Sequence, residues 1–202
     1  TLQSLQAAKS AVLHAARPLQ PGDVVRGQYE GYRYERGVAP DSQVETYVAL
    51  RMFIDSQRWA GVPFYIRAGK ELPVTATEVI VELEPSRSAL FREHSERNML
   101  GNYFRFRLGP DRVAIAVGAR VKVPGDRMRG EAVELFALNT RGDEPDAYER
   151  LISDAMKGDH TLFAVRESVE ACWRIVEPVL REPPPIHIYP RGSWGPPEAD
   201  RL

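Results

Sequence analysis

In the stretch "RWAGVPFYIRAGKELP", residues 58–73, a lysine follows a glycine at the end of an apolar run. Val62 to Ala68 is β-favouring and lies between Gly61 and Gly69, which predicts a strand and sets Lys70 at its carboxyl end. An ammonium group held there can donate hydrogen bonds and positive charge to an oxygen-rich anion. Taken by itself, Lys70 reads first as a solvated strand-terminal lysine. Arg67 has the parity of Gly69 and is either a support for the lysine or an exposed strand arginine. The remaining reactive residue types are scattered. His14, His94, His160 and His187 have no paired spacing, so no metal site is expected. His160, next to Asp159, reads as a cap or surface residue. Asp146, Tyr148, Glu149 and Arg150 fall in the first turns of a helix, where capping and the helix dipole account for them. Motifs that carry an active site by themselves, G-x-G-x-x-G, G-x-x-x-x-G-K-[ST], G-x-S-x-G and HExxH, are absent.

The elements that must hold Lys70 belong to an ordinary globular chain. It has 202 residues, 43% hydrophobic and 27% charged, enough for a sizeable core and too apolar for disorder. Twenty-seven Lys and Arg against 28 Asp and Glu leave a net charge of −1, so nothing in bulk electrostatics favours nucleic acid or an anionic membrane. No apolar run approaches the roughly 20 residues of a membrane span. A single cysteine, Cys172, cannot close an internal disulfide, and a reducing cytoplasm is expected.

Helical patterns open and close the chain. Residues 4–16 are rich in helix formers. Residues 40–59 predict a long helix begun by Ser42 and Glu45 as a capping box, with Val44, Val48 and Met52 on one side and Tyr47, Leu50 and Ile54 on another. Residues 77–84, 102–109, 111–123 and 130–138 read as the strands of an antiparallel meander. In it Tyr103, Arg105 and Arg107 alternate with Phe104, Phe106 and Leu108, one wet face and one dry. A helix follows Pro145 with Tyr148, Leu151, Ile152, Ala155 and Met156 as its apolar stripe and Gly158 as its stop. The next aligns Val169, Cys172, Trp173, Val176 and Leu180, which places Cys172 in the core. The fold class expected is α+β: one domain over residues 1–202, a large, mainly antiparallel sheet flanked by helices.

Several longer strings occur in a fixed order: "VVRGQYEGY", "SQVETYVALRMFIDSQRWAGVPFYIRAGKELP", "PDAYERLISDAMKGD" and "GSWGPPEAD". Together they resemble the C-terminal domain of glucose-6-phosphate dehydrogenase, from about Lys9 to Asp200. The resemblance implies an enzyme that oxidises glucose 6-phosphate to its lactone with NADP. It implies that the coenzyme-binding Rossmann domain and the catalytic Asp and His precede the region present here. On this expectation the chain is a fragment or has a separate partner half, holds no catalytic residue and is inactive alone. A non-catalytic assembly or regulatory module derived from the same family is the alternative.

The resemblance also gives Lys70 a role, as the lysine that reaches bound glucose 6-phosphate. A second basic residue that other members carry five positions on is Thr75 here, a substrate contact without charge. Members with a second, structural NADP in this domain carry an arginine where this chain has Trp194, and a Tyr-x-Lys that falls at Ile115 and Val117. Neither replacement holds a phosphate, so no structural NADP is expected. The sheet is expected to form a homodimer through strands drawn from residues 102–138, since Val113, Ile115 and Val117 lie opposite Ala114, Ala116 and Gly118 and both faces are apolar.

Overall fold

The computed structural model describes residues 2–84, 102–110, 113–122, 130–139 and 147–202. Its elements are α1 (Leu2–Ala15), β1 (Val24–Tyr29), β2 (Tyr47–Met52), β3 (Phe64–Gly69), β4 (Thr77–Glu82), β5 (Tyr103–Gly109), β6 (Val113–Lys122), β7 (Gly130–Asn139), α2 (Ala147–Lys157), α3 (Arg166–Arg181) and β8 (Ile186–Tyr189). They gather into two compact units, residues 1–74 with 147–202 and residues 75–146. The α+β class holds, with the strands divided between two four-stranded sheets.

In the first unit the strand order is β3-β2-β1-β8, antiparallel except for β8, which runs parallel to β1. β1 is buried at every position but Arg26, as a central strand covered on both faces must be. Successive residues serve two cores. Val24 joins Ala16, Leu19, Ile54, Ile175 and Val179. Val25 and Tyr29 join Tyr47, Ala49, Tyr189 and Ala199. Each large apolar side chain buried this way contributes about 1.5–3 kcal/mol. α1 is tied to α3 by a cap from outside: an Arg174 Nη donates to the carbonyls of Leu13 at 3.0 Å, His14 at 3.1 Å and Ala16 at 2.8 Å. Those acceptors are among the carbonyls that a helix end leaves unpaired.

Two sequence expectations fail in this unit. Residues 47–52 form strand β2, not part of a helix over 40–59. Apolar residues on two faces also describe a doubly covered strand, and Tyr47 and Ala49 do point to one core while Val48, Leu50 and Met52 pack on the other. Ser42 accepts a hydrogen bond from the Val44 N–H at 3.3 Å in a local turn, and Glu45 pairs with Arg26 at 2.8 Å. Neither caps a helix. On α3 the buried residues are Ala171, Ile175 and Val179, one position round from the expected stripe. Cys172 is exposed, not core, and Trp173 and Leu180 keep 61% and 54% of their surface. Ala171, Ile175 and Val179 therefore form the inner face of α3, and Cys172, Trp173 and Leu180 lie on its outer side.

The second unit is a meander in the order β4-β5-β6-β7, all antiparallel, as the alternation predicts. Asp111, Arg112 and Val123 of the expected third strand lie outside the described residues. The wet face carries ion pairs from Arg105 to Glu134 and from Arg107 to Glu78, each at 2.9 Å, and Tyr103 donates to Glu134 at 2.8 Å. Partly exposed pairs of this kind contribute about 0–1 kcal/mol each. Tyr103 lies over Gly118 so closely that a Cβ there would collide with its ring. On the opposite face Val79, Phe104, Ile115 and Leu135 are apolar yet 47%, 37%, 50% and 71% exposed. α2 presents Tyr148, Ile152 and Met156 at 76%, 61% and 84% exposure, so the stripe expected to pack is largely uncovered in this chain. Gly158 ends that helix at φ +70°, as expected of a C-terminal glycine, while Pro145 and Asp146 lie outside the described residues.

Candidate functional site

Lys70 follows the last residue of β3, and its side chain is exposed while its backbone is held from both sides. Its N–H donates to the Thr46 carbonyl at 2.8 Å, extending the pairing with β2 by one bond. Its carbonyl accepts the Tyr189 hydroxyl at 2.7 Å. Thr46 Oγ1 stands 3.2 Å from the Tyr189 hydroxyl and accepts the Tyr29 N–H at 2.9 Å. The bonds therefore run in series: Tyr29 N–H to Thr46 Oγ1, the threonine hydroxyl to the Tyr189 oxygen, and the Tyr189 hydroxyl to the Lys70 carbonyl. Residues of β1, of the segment before β2 and of β8 converge on one peptide group.

The next residue is fixed as well. Glu71 has φ +52°, a left-handed conformation that costs an L-residue roughly 1–2 kcal/mol. Its carbonyl accepts the Gly192 N–H at 2.7 Å, and its carboxylate lies 3.7 Å from Arg191. Arg191 also pairs with Glu35 at 2.8 Å and lies over the Tyr29 ring, 4.6 Å from its centroid. That geometry adds about 0.5–1 kcal/mol at a partly exposed site.

Behind the lysine, Tyr47 is 2% exposed and fits because three glycines give it room. A Cβ on Gly69 would stand 2.8 Å from its ring, one on Gly27 would stand 3.1 Å away, and one on Gly195 would collide with the ring outright. Each of the strings "RGQ", "AGK" and "SWG" thus supplies one wall of the slot. Burial pushes the Tyr47 phenol above its ordinary value, and the charge of Arg67 acts against that rise. Burial likewise raises the Tyr189 phenol, opposed by its hydrogen bond with Thr46.

The other expected site residues are dispersed. Arg67 is exposed, on the same sheet face as Gly69 and Tyr47, and its charge acts on Tyr47. Thr75 is exposed and belongs to the unit of residues 75–146. Trp194 is 54% exposed in the C-terminal segment. His14 bonds the Ser10 carbonyl at 2.8 Å, His187 lies 3.1 Å from Glu198, and His94 lies outside the described residues. Among the described residues no three His, Cys, Asp or Glu gather as metal ligands. No helix among them is long and apolar enough to cross a membrane. Sequence reasoning missed Thr46 and Tyr189. Their signal was the glycine in each quoted string, a place where a large ring demands space. Among the described residues the arrangement presents one exposed ammonium group on a fixed backbone, which can bind an anion.

The family model described as "Glucose-6-phosphate dehydrogenase, C-terminal domain" matches residues 1–202. The chain is 43% identical over 197 residues to glucose-6-phosphate 1-dehydrogenase 1 of Mycobacterium tuberculosis (strain ATCC 25618 / H37Rv), covering 96% of this chain and 41% of that protein. It is 39% identical over 211 residues to glucose-6-phosphate 1-dehydrogenase of Aggregatibacter actinomycetemcomitans, covering 95% of this chain and 42% of that protein. Among solved structures, glucose-6-phosphate 1-dehydrogenase from Mycobacterium avium superposes with a TM-score of 0.85 at 40% identity, covering 98% of this chain and 42% of that one. A glucose-6-phosphate dehydrogenase in complex with its substrate glucose-6-phosphate superposes with a TM-score of 0.79 at 27% identity, covering 99% and 44%. The chain therefore spans about two fifths of the length of these relatives.

Proposed function

The chain belongs to the glucose-6-phosphate dehydrogenase C-terminal domain family, and from that membership we propose that it supplies the substrate-contacting and assembly part of an NADP-linked dehydrogenase. The reaction is oxidation of the anomeric carbon of glucose 6-phosphate to 6-phosphoglucono-1,5-lactone, with hydride passing to the nicotinamide. Lys70 meets the sugar phosphate, with Thr75 as an uncharged second contact and Arg67 as support. The observation that carries this reading is the fixed peptide at Lys70: an exposed ammonium on a backbone bonded at both N–H and carbonyl. On this reading the coenzyme and the general base are supplied by the other, coenzyme-binding half of the enzyme. An exposed free Cys172 suits a reducing cytoplasm. Lys70→Ala in the assembled enzyme loses one charged hydrogen bond, roughly 1.5–3 kcal/mol, and raises KM for glucose 6-phosphate about ten- to a hundredfold. The KM for NADP stays put. An unchanged sugar-phosphate KM returns Lys70 to the role of a solvated lysine.

The same reading makes the chain a homodimer, or a larger homo-oligomer, through the meander. Its apolar face, from Val79 and Phe104 across to Ile115 and Leu135, is what a second copy would cover. Ala116 lies on the other face, already 6% exposed opposite Arg105 and Phe136, so it is not a position at which to test the contact.

A further inference from the structure

The geometry points to Tyr189 as the positioning residue for Lys70, a brace on the substrate lysine supplied by the C-terminal strand; this rests on the reading of Lys70 as a substrate contact. Lys70 needs a brace because it lies just past the end of an edge strand. Among the described residues β3 pairs only with β2 in its sheet, and beyond Gly69 the bond from the Lys70 N–H to the Thr46 carbonyl continues the ladder. A strand end with one such bond frays. Tyr189 closes the other side. It is 0% exposed, and its hydroxyl reaches the Lys70 carbonyl at 2.7 Å with the Thr46 hydroxyl 3.2 Å away. Its ring packs against Tyr47 at 5.3 Å and Tyr29 at 6.5 Å between centroids, so the phenol cannot swing. β8 delivers it there by pairing in parallel with β1, Tyr189 beside Tyr29.

The same strand continues into the rest of the brace. Arg191 and Gly192 hold the carboxylate and carbonyl of Glu71, so the lysine is flanked on its C-terminal side by a residue whose strained backbone is kept in place from the same segment. Tyr189 touches no substrate in this account. It acts by fixing the peptide from which the ammonium group projects, which limits the conformations the lysine must give up on binding.

Kinetics of the assembled dehydrogenase test the brace with three variants: Tyr189→Phe, Lys70→Ala and the two combined. Tyr189→Phe keeps the ring and removes the phenol's neutral hydrogen bonds with the Lys70 carbonyl and Thr46, so KM for glucose 6-phosphate rises about three- to tenfold while kcat and the KM for NADP hold. In the Lys70→Ala background the tyrosine change adds nothing, because there is no ammonium group left to place. If Lys70→Ala raises KM and Tyr189→Phe does not, the brace is overturned and the substrate role of Lys70 stands. An effect of Tyr189→Phe that persists in full without the lysine marks a general loss of structure and also overturns the brace. A silent Lys70→Ala removes both. Should Tyr189→Phe fail to accumulate, Arg191→Gln loosens the exposed end of the same brace. It should give the same KM-only change, and an unchanged KM counts against the proposal.

Discussion

Tyr47 and Tyr189 fill the space behind Lys70, and both phenols are held protonated by burial. For an acid whose folded value is raised, the stabilisation is complete below the unfolded value, near pH 10 for tyrosine, and is lost as pH climbs through the folded value. The chain should therefore be insensitive to these groups at neutral pH and lose stability as pH rises above about 10. Of the eight tyrosines, Tyr47 and Tyr189 should ionise only with the unfolding transition. A spectrophotometric titration at the phenolate band, run beside circular dichroism, checks this. Ionisation of all eight in a native-like chain would contradict the packing described.

Among the elements, the meander sets its two faces to different uses. Arg105 pairs with Glu134 and Arg107 with Glu78 on one face, which also exposes Ile80, Phe136 and Leu138, while the other is apolar from Val79 and Phe104 across to Ile115 and Leu135. Leu135 is 71% exposed there, so Leu135→Glu costs the single chain little. In a dimer it buries an unpaired charge, which costs several kcal/mol. Sedimentation should show the wild type as a dimer at micromolar concentration and Leu135→Glu as a monomer with unchanged circular dichroism. A wild-type monomer of 22.8 kDa ends the dimer reading. The meander was legible because its strands alternate with the pleat and are bounded by polar turns. β2 was not, because Thr46 to Ile54 is apolar on both faces, and a strand covered on both sides has no alternation to distinguish it from a helix. α3 was visible as a helix, but Trp173 and Leu180 outweighed Ala171 in any reckoning of hydrophobicity, so its inner face was misread. Lys70 could be placed at a strand end from Gly69 alone; that Tyr189 holds it depends on a pairing between distant segments that no local pattern encodes.

At the scale of the molecule, the proposed reading separates binding from reaction: Lys70 meets the sugar phosphate, and the base that takes a proton from the sugar hydroxyl belongs to the other half of the enzyme. The 202-residue chain by itself should produce no NADPH from glucose 6-phosphate, measured by absorbance of the reduced coenzyme. Production that persists through removal of contaminating enzyme would overturn that expectation and show that the chain carries its own base.

The parallel pairing of β1 with β8 also fixes an order of events in time. Of the strands described here β1 is synthesised first and β8 last, and the unit of residues 75–146 lies between them in sequence. A growing chain on the ribosome can pair β1 with β2 and fold the meander while β1 still has an open edge. Contacts so distant in sequence form slowly, since a long loop must close first. The Lys70 loop is therefore among the last parts of the chain to become ordered, and a chain cut short before Tyr189 would keep most of its strands while the lysine hung on an unbraced end.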